Sequence, residues 1–324
     1  MLNLSTILCL VVMGFFIGIL SGFFGFGGGF ILTPFLISLG FPANIAVGTS
    51  VTEIFMSSTI ASLKHKRLGN VEIRIGLIIA LFSLIGTELG AQIIEQLKKA
   101  NVLHMNFIVS LIYILILTLI SICIIRESLS SSREKDIKKK SLWFRVRGLK
   151  IPPSIVIPRL NTEPISIWVI AIIGFIGGLL AGFLGIGGGF LLVPLLIYVV
   201  GCKPPIAAGT CTFGILISCA YASLTHTFKG NVDFISAILI FIGSSIGVQI
   251  GASATRRVKE ATFKLAFGLC LSLISLSIIT KLISDLYEIS ALNILSQIII
   301  FSALILISSL IILFSARKTI ESQN

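Results

Sequence analysis

At 324 residues the chain is long enough for two ordinary soluble domains, yet 56% of it is hydrophobic, only 12% is charged, and the mean hydropathy is +1.08. Soluble proteins carry about 25% charged residues, so a water-facing globule is excluded; the missing charge is what a lipid-facing surface omits. The net charge of +12 is then mostly a matter of which loops face which side.

In chain order, apolar stretches poor in charge fall near residues 4–40, 43–63, 75–94, 102–125, 165–200, 205–228, 234–255, 265–280 and 289–316. A helix needs about 20 apolar residues to cross a hydrocarbon core about 30 Å thick. Backbone amides cannot be left unpaired there, so helices are expected throughout. The short alternating segments of a β-barrel are absent from the sequence. Ile7 to Leu20 has the length of a secretory signal core but no basic residue before it, so a retained segment is expected. Stretch 4–40 would be about 55 Å long as one helix, too long for one crossing. Its Gly25-Phe26-Gly27-Gly28-Gly29 run predicts the break, because each glycine costs a helix about 1 kcal/mol.

Between residues 126 and 163 lies a polar linker with ten Lys or Arg, four Asp or Glu, and Pro152, Pro153 and Pro158. So basic a stretch suits a membrane-surface loop better than a nucleic-acid site, and no nucleic-acid partner is expected. The six cysteines form no CxxC pair and mostly sit in apolar runs, where packing roles prevail over metal or redox roles.

The chain then repeats itself. At an offset of 160, Gly14–Leu36 aligns with Gly174–Leu196, and 14 of 23 positions are identical. At an offset of 161 the match continues through Ala46-Val47-Gly48-Thr49 with Ala207-Ala208-Gly209-Thr210, His65 with His226, and Gly69-Asn70-Val71 with Gly230-Asn231-Val232. With the linker in the cytoplasm, a double crossing of 165–200 puts 21 of the 25 Lys and Arg inside, against 16 for a single crossing. The positive-inside rule therefore favours odd-numbered, inverted units. The resulting expectation is an all-α polytopic membrane protein of about 9–11 membrane segments. Residues 1–125 form the first repeat, 126–163 the cytoplasmic linker, 164–288 the second repeat, and 289–324 an extra helix and tail.

Secondary transporters are commonly built this way, with substrate held where the repeats meet. The candidate binding groups are the broken backbones, Gly25, Gly27, Gly28 and Gly29 with Gly185, Gly187, Gly188 and Gly189, whose freed amides attract anions. The small polar clusters Thr49-Ser50 and Thr210-Cys211 follow, suited equally to capping and to binding. Gly14, Gly18, Gly22 and Gly174, Gly178, Gly182 recur every fourth residue, as close helix packing requires. Glu53 and Glu88, ionisable residues inside apolar runs, are candidate proton carriers; their repeat counterparts are Gly214 and Gln249, so such a role exists only in the first unit. His65 and His226, at run ends beside Lys66 and Lys229, read as interfacial. Nothing resembles a catalytic motif, a Walker loop or a cofactor site, so neither an enzyme nor a cofactor is expected.

The doubled GFFGFGGGF and GFLGIGGGF motifs, each followed by Pro34 or Pro194 and then an AxGT element, resemble the sulfite exporter TauE/SafE family over residues 5 to about 283. The resemblance implies a cofactor-free, multi-pass carrier in the cell membrane for small sulfur-containing anions such as sulfite or sulfonates. The long linker and the run 289–316 depart from the compact family pattern. A non-transporting scaffold or assembly factor and an anion channel are the alternatives. Oligomeric state is open, a homodimer included.

Overall fold

The computed structural model describes residues 4–100, 102–130, 151–156, 164–185 and 187–321. The first unit holds α1 (Leu4–Phe24), α2 (Gly29–Ser38), α3 (Ala43–Arg67), α4 (Ile73–Ala100) and α5 (Val102–Ser130). The second holds α6 (Ile167–Leu184), α7 (Gly189–Val200), α8 (Pro204–Phe228), α9 (Phe234–Ala254) and α10 (Glu260–Tyr287), and α11 (Ser290–Glu321) follows. Two-residue strands β1 (Ser154–Ile155) and β2 (Ile165–Ser166) pair antiparallel before α6. Most of the expected linker, at 131–150 and 157–163, lies outside the described residues.

Eight of these helices, α1, α4, α5, α6, α8, α9, α10 and α11, are long and apolar enough to cross a membrane. The outward stripe of α4 shows what they present to the surroundings: Ile73, Leu77, Leu81, Ile85, Leu89 and Ile93, spaced four apart, are 40–63% exposed. Water would penalise such a face, whereas hydrocarbon does not. The 25-residue α3 is as long but much more polar, burying Thr49, Ser50, Thr52, Glu53, Ser57, Ser58, Ser62 and His65. It can carry that load because the other helices enclose it.

The units interlock reciprocally. Helix α1 packs along α9 and α6 along α4, while α3 packs on α8 and α5 on α10. At the first seam, Gly14, Gly18 and Gly22 face the carbonyls of Ile240, Ser244 and Val248, and Gly243, Gly247 and Gly251 face those of Val11, Phe15 and Ile19. A Cβ on any of the six would overlap the partner backbone. The α4–α6 seam repeats the arrangement, with Gly174, Gly178 and Gly182 facing Ile79, Ser83 and Thr87. The expected role of these glycines in close helix approach is therefore met.

Helices α3 and α8 run in opposite directions: Gly48 near the start of α3 lies against His226 and Asn231 at the end of α8, and Gly209 near the start of α8 lies against Asn70 just beyond α3. The end of α3 and the end of α5 lie on one side, the linker face. The end of α4, the start of α5 and the end of α8 lie on the far face. Because α1 ends at the linker face and α3 starts at the far face, the stretch 4–40 turns back at its break and returns through the ten-residue α2, which is shorter than a full span.

Since only backbone faces the seam glycines, no side chain can yield to an added one. Gly247→Leu should cost about 3 kcal/mol and abolish the monodisperse peak in detergent size-exclusion chromatography. Gln249→Leu, on the outward face of the same helix, should leave that peak unchanged.

Candidate functional site

Both apolar stretches break at their glycine runs. Gly25, Gly27 and Gly28 have φ of 80°, 81° and 86°, and Gly185, Gly187 and Gly188 have φ of 72°, 71° and 73°, a left-handed region that glycine enters without steric cost. The last turn of α1 closes with the Gly25 amide donating to the Ser21 carbonyl at 2.8 Å, and α6 closes with Gly185 donating to Ala181 at 3.0 Å. The chain then folds back. Helix α2 starts where the amides of Ile31 and Leu32 both donate to the Gly28 carbonyl at 3.1 Å; α7 starts where Leu191 and Leu192 donate to Gly188 at 3.2 and 3.1 Å. The amides of Gly29, Phe30, Gly189 and Phe190 precede these first intrahelical bonds.

The two breaks set out from opposite faces and converge. Gly25 lies against the backbone of Ala208, and Gly185 against that of Val47, each on the core helix of the other unit. Deeper in, positions 27 and 187 both face Ile54 and Ile215, each the twelfth residue of its 25-residue helix. Gly189 abuts the Phe26 backbone, so the starts of α2 and α7 meet at mid-depth. Ile54 and Ile215, fully buried, fill the space between the breaks.

Side chains catch the carbonyls that the breaks release. The Nε2 atoms of His65 and His226 lie 2.9 Å from the Gly22 carbonyl and 3.1 Å from the Gly182 carbonyl. Both histidines are fully buried: at the helix ends where the sequence puts them they turn inward, and their partners come from a different helix, which local sequence does not display. The Thr255 hydroxyl donates to the Phe23 carbonyl at 2.8 Å. At the second break, the Tyr113 hydroxyl donates to Leu184 at 2.7 Å and Thr33 to Gly185 at 3.4 Å. Sequence reasoning missed Tyr113; a lone phenol inside apolar stretch 102–125 was the available signal.

The AxGT elements act across the unit boundary. The Thr49 hydroxyl accepts from the Asp233 amide at the start of α9, and Thr210 accepts from the Glu72 amide just before α4, both at 2.9 Å. Capping is thus realised between units. The Cys211 thiol donates to the Gly189 carbonyl at 3.8 Å, next to the second break. The Ser50 hydroxyl is buried with no partner among the described residues.

The two glutamates part company. Glu53 is fully buried; its Oε1 accepts from the Ser244 hydroxyl at 2.6 Å, while Oε2 has no partner among the described residues. It neighbours Ile54 in sequence and sits where α3 meets the α1–α9 seam. Glu88 lies at the bundle's periphery, accepting from Tyr221 at 2.9 Å and Gln92 at 2.8 Å. The structure does not bring it to the breaks.

A family model described as sulfite exporter TauE/SafE matches residues 10–278. The chain belongs to the TauE/SafE family. It is 27% identical over 281 residues to the probable membrane transporter protein YunE of Bacillus subtilis, covering 83% of this chain and 96% of that one. A probable membrane transporter protein of Methanocaldococcus jannaschii is 28% identical, covering 74% and 85% of the two chains. Sulfite exporter TauE/SafE family protein 5 of Arabidopsis thaliana is 31% identical over 106 residues, 32% of this chain and 24% of that one. No solved structure matches. The TauE/SafE match takes in both breaks and both AxGT elements, and α11 lies beyond it.

Each threonine cap should stabilise by about 1 kcal/mol. Because Thr49 and Thr210 act near opposite faces, Thr49→Val and Thr210→Val should lower the unfolding midpoint by amounts that add in the double variant to within about 0.5 kcal/mol. Chemical denaturation in detergent measures this; strong non-additivity would mean that the two caps do not act independently.

Proposed function

We propose that this protein is a secondary transporter of small anions, sulfur-containing ones such as sulfite or sulfonates, working by alternating access in the cell membrane. The reading rests above all on the meeting of two helix starts at mid-depth. Each start carries a partial positive charge of about half a unit and amides that precede the first intrahelical bond. Two such ends aimed at one another form an environment that favours an anion and repels a cation. The backbones of Gly27, Gly28, Gly29, Gly187, Gly188 and Gly189 are what would hold it, with Thr49, Ser50, Thr210 and Cys211 at the margins; Gly25 and Gly185, whose amides close α1 and α6, shape the breaks instead of binding.

Access would come from movement of one unit against the other. The glycine seams α1–α9 and α4–α6 are smooth, so the helices have few interlocking side chains to disengage. Ile54 and Ile215 would have to withdraw from between the breaks, and their present placement is that of a closed state. The same packing would be expected of a static membrane scaffold, and flux separates the two readings. The family description and the transporter names of its relatives favour the carrier.

Glu53 is the proposed proton carrier. A carboxyl enclosed by protein, with one oxygen satisfied by a serine and the other unpartnered, exchanges its proton only when the enclosure opens. That couples proton movement to the same rearrangement that exposes the anion. Glu88, already hydrogen-bonded at the periphery, drops out of this role.

In proteoliposomes, Glu53→Gln should lower pH-gradient-driven uptake of radiolabelled sulfite at least 10-fold while leaving sulfite counterflow saturable, and Glu88→Gln should leave both intact. Undiminished pH-driven uptake in Glu53→Gln would remove the coupling proposal. Absence of counterflow in the wild-type protein would support the scaffold.

A further inference from the structure

Two clefts flank the bundle, one at each face, and each adjoins the short helix that follows a glycine break. The far-face cleft lies between α2, α5, α10 and α11 and is lined by Ser38, Ser110, Tyr113, Ser277, Lys281 and Ser296. The linker-face cleft lies between α5, α7 and α10 and is lined by Ile124, Pro194, Tyr198, Phe263, Lys264 and Phe267. Each holds about 10 Å³, room for one water. Lys264 and Lys281 lie on the same helix, about 25 Å apart along its axis, so α10 presents one ammonium to each cleft.

The two lysines differ in how far they are committed. Lys264 is ion-paired to Glu260 at 2.8 Å and Glu127 at 3.7 Å, and lies 4.9 Å from the centre of the Tyr198 ring. Among the described residues Lys281 has one ion-pair partner, Asp285 at 2.7 Å, whose side chain is 53% exposed. An ammonium has three protons to donate, and an exposed pair one helical turn apart is weak. The neighbouring hydroxyls of Ser38, Ser277 and Ser296 give their protons to backbone carbonyls at 2.7, 2.7 and 2.8 Å. The charge of the far-face cleft therefore resides in Lys281.

What lies behind each cleft also differs. Tyr113 at the back of the far-face cleft holds the Leu184 carbonyl, immediately before the second glycine break. Behind the linker-face cleft, Phe263 and Phe267 pack on Phe24 with centroids 5.2 and 4.9 Å apart, an apolar plug on the first break. One approach sets a lysine with an exposed partner among serines and a mostly apolar wall that includes Ile37 and Ile278; the other is aromatic with its lysine paired to two carboxylates.

We infer that the far-face cleft is an entry vestibule for small anions, with Lys281 as the residue that draws them in and the Tyr113 hydroxyl, committed to the Leu184 carbonyl, closing its back before the second glycine break. Lys281 and α11 lie outside the 10–278 family match, so the vestibule is a feature that this chain's C-terminal part completes. The inference deepens the transport reading and rests on it for its purpose, but the electrostatic claim stands by itself.

The test uses the full chain in lipid nanodiscs, with the six native cysteines replaced and Ser110→Cys as reporter. Its labelling rates are compared for a sulfonate-bearing, anionic methanethiosulfonate and for the trimethylammonium, cationic one, each relative to a free thiol. The anion-to-cation ratio should exceed one and fall at least 5-fold in Lys281→Gln. It should recover in Lys281→Arg, rise in Asp285→Asn, and stay unchanged in Lys264→Gln. A ratio indifferent to Lys281→Gln overturns the inference. Should that variant fail to fold, an unchanged ratio in Asp285→Asn does the same. Neither reagent has to be carried, so the outcome is independent of the sulfite uptake that tests the transport reading.

Discussion

A chain that interrupts a helix inside a lipid bilayer must find partners for the backbone groups it frees, because each orphan in hydrocarbon costs several kcal/mol. Nearly everything particular about this protein follows from doing that twice. The carbonyls left at the ends of α1 and α6 are taken by His65, His226, Thr255, Tyr113 and Thr33, all of them polar groups inside apolar surroundings. The polar content of α3, too high for a lipid-facing span, exists because that helix runs through the middle and serves these needs. The glycine seams then become intelligible. Two breaks can meet at mid-depth only if the helices bearing them approach the opposite unit at backbone distance, which Gly18 against Ser244 and Gly178 against Ser83 allow.

The reciprocity of the units makes their departures from it informative. Position for position, the second unit has Gly214 where the first has Glu53, and Ile274 and Val193 where the first has Tyr113 and Thr33, the residues that hold the second break. The first break is instead bedded in Phe24, Phe26, Phe263 and Phe267. A carboxyl sits beside one half of the centre, thiols beside the other, and hydroxyls and aromatic rings divide the two approaches.

Much of this was legible in the residues. The doubled motif, the glycine breaks and the odd-numbered units follow from sequence identity, from the cost of glycine in a helix and from the side-to-side balance of Lys and Arg. What could not be read were partners distant in sequence: Thr49 caps a helix starting 184 residues later, and His226 reaches a carbonyl 44 residues earlier. The two glutamates could have been separated by helical period. Glu53 shares its face with Thr49 and Ser57, whereas Glu88 falls among Leu81, Ile85 and Gln92, residues of an outward stripe.

The central claim is that the meeting place of the breaks opens to one face and then to the other. In sealed vesicles, with the native cysteines replaced, Ile54→Cys places a thiol at that centre, and a charged, impermeant methanethiosulfonate is added from one side at a time. Alternating access predicts labelling from either side, with an excess on one side of a small alkanesulfonate, which does not react with the reagent, lowering labelling there and raising it from the opposite side. Labelling from neither side would contradict the account in favour of a static scaffold, and simultaneous labelling from both, indifferent to the sulfonate, would contradict it in favour of an open pore.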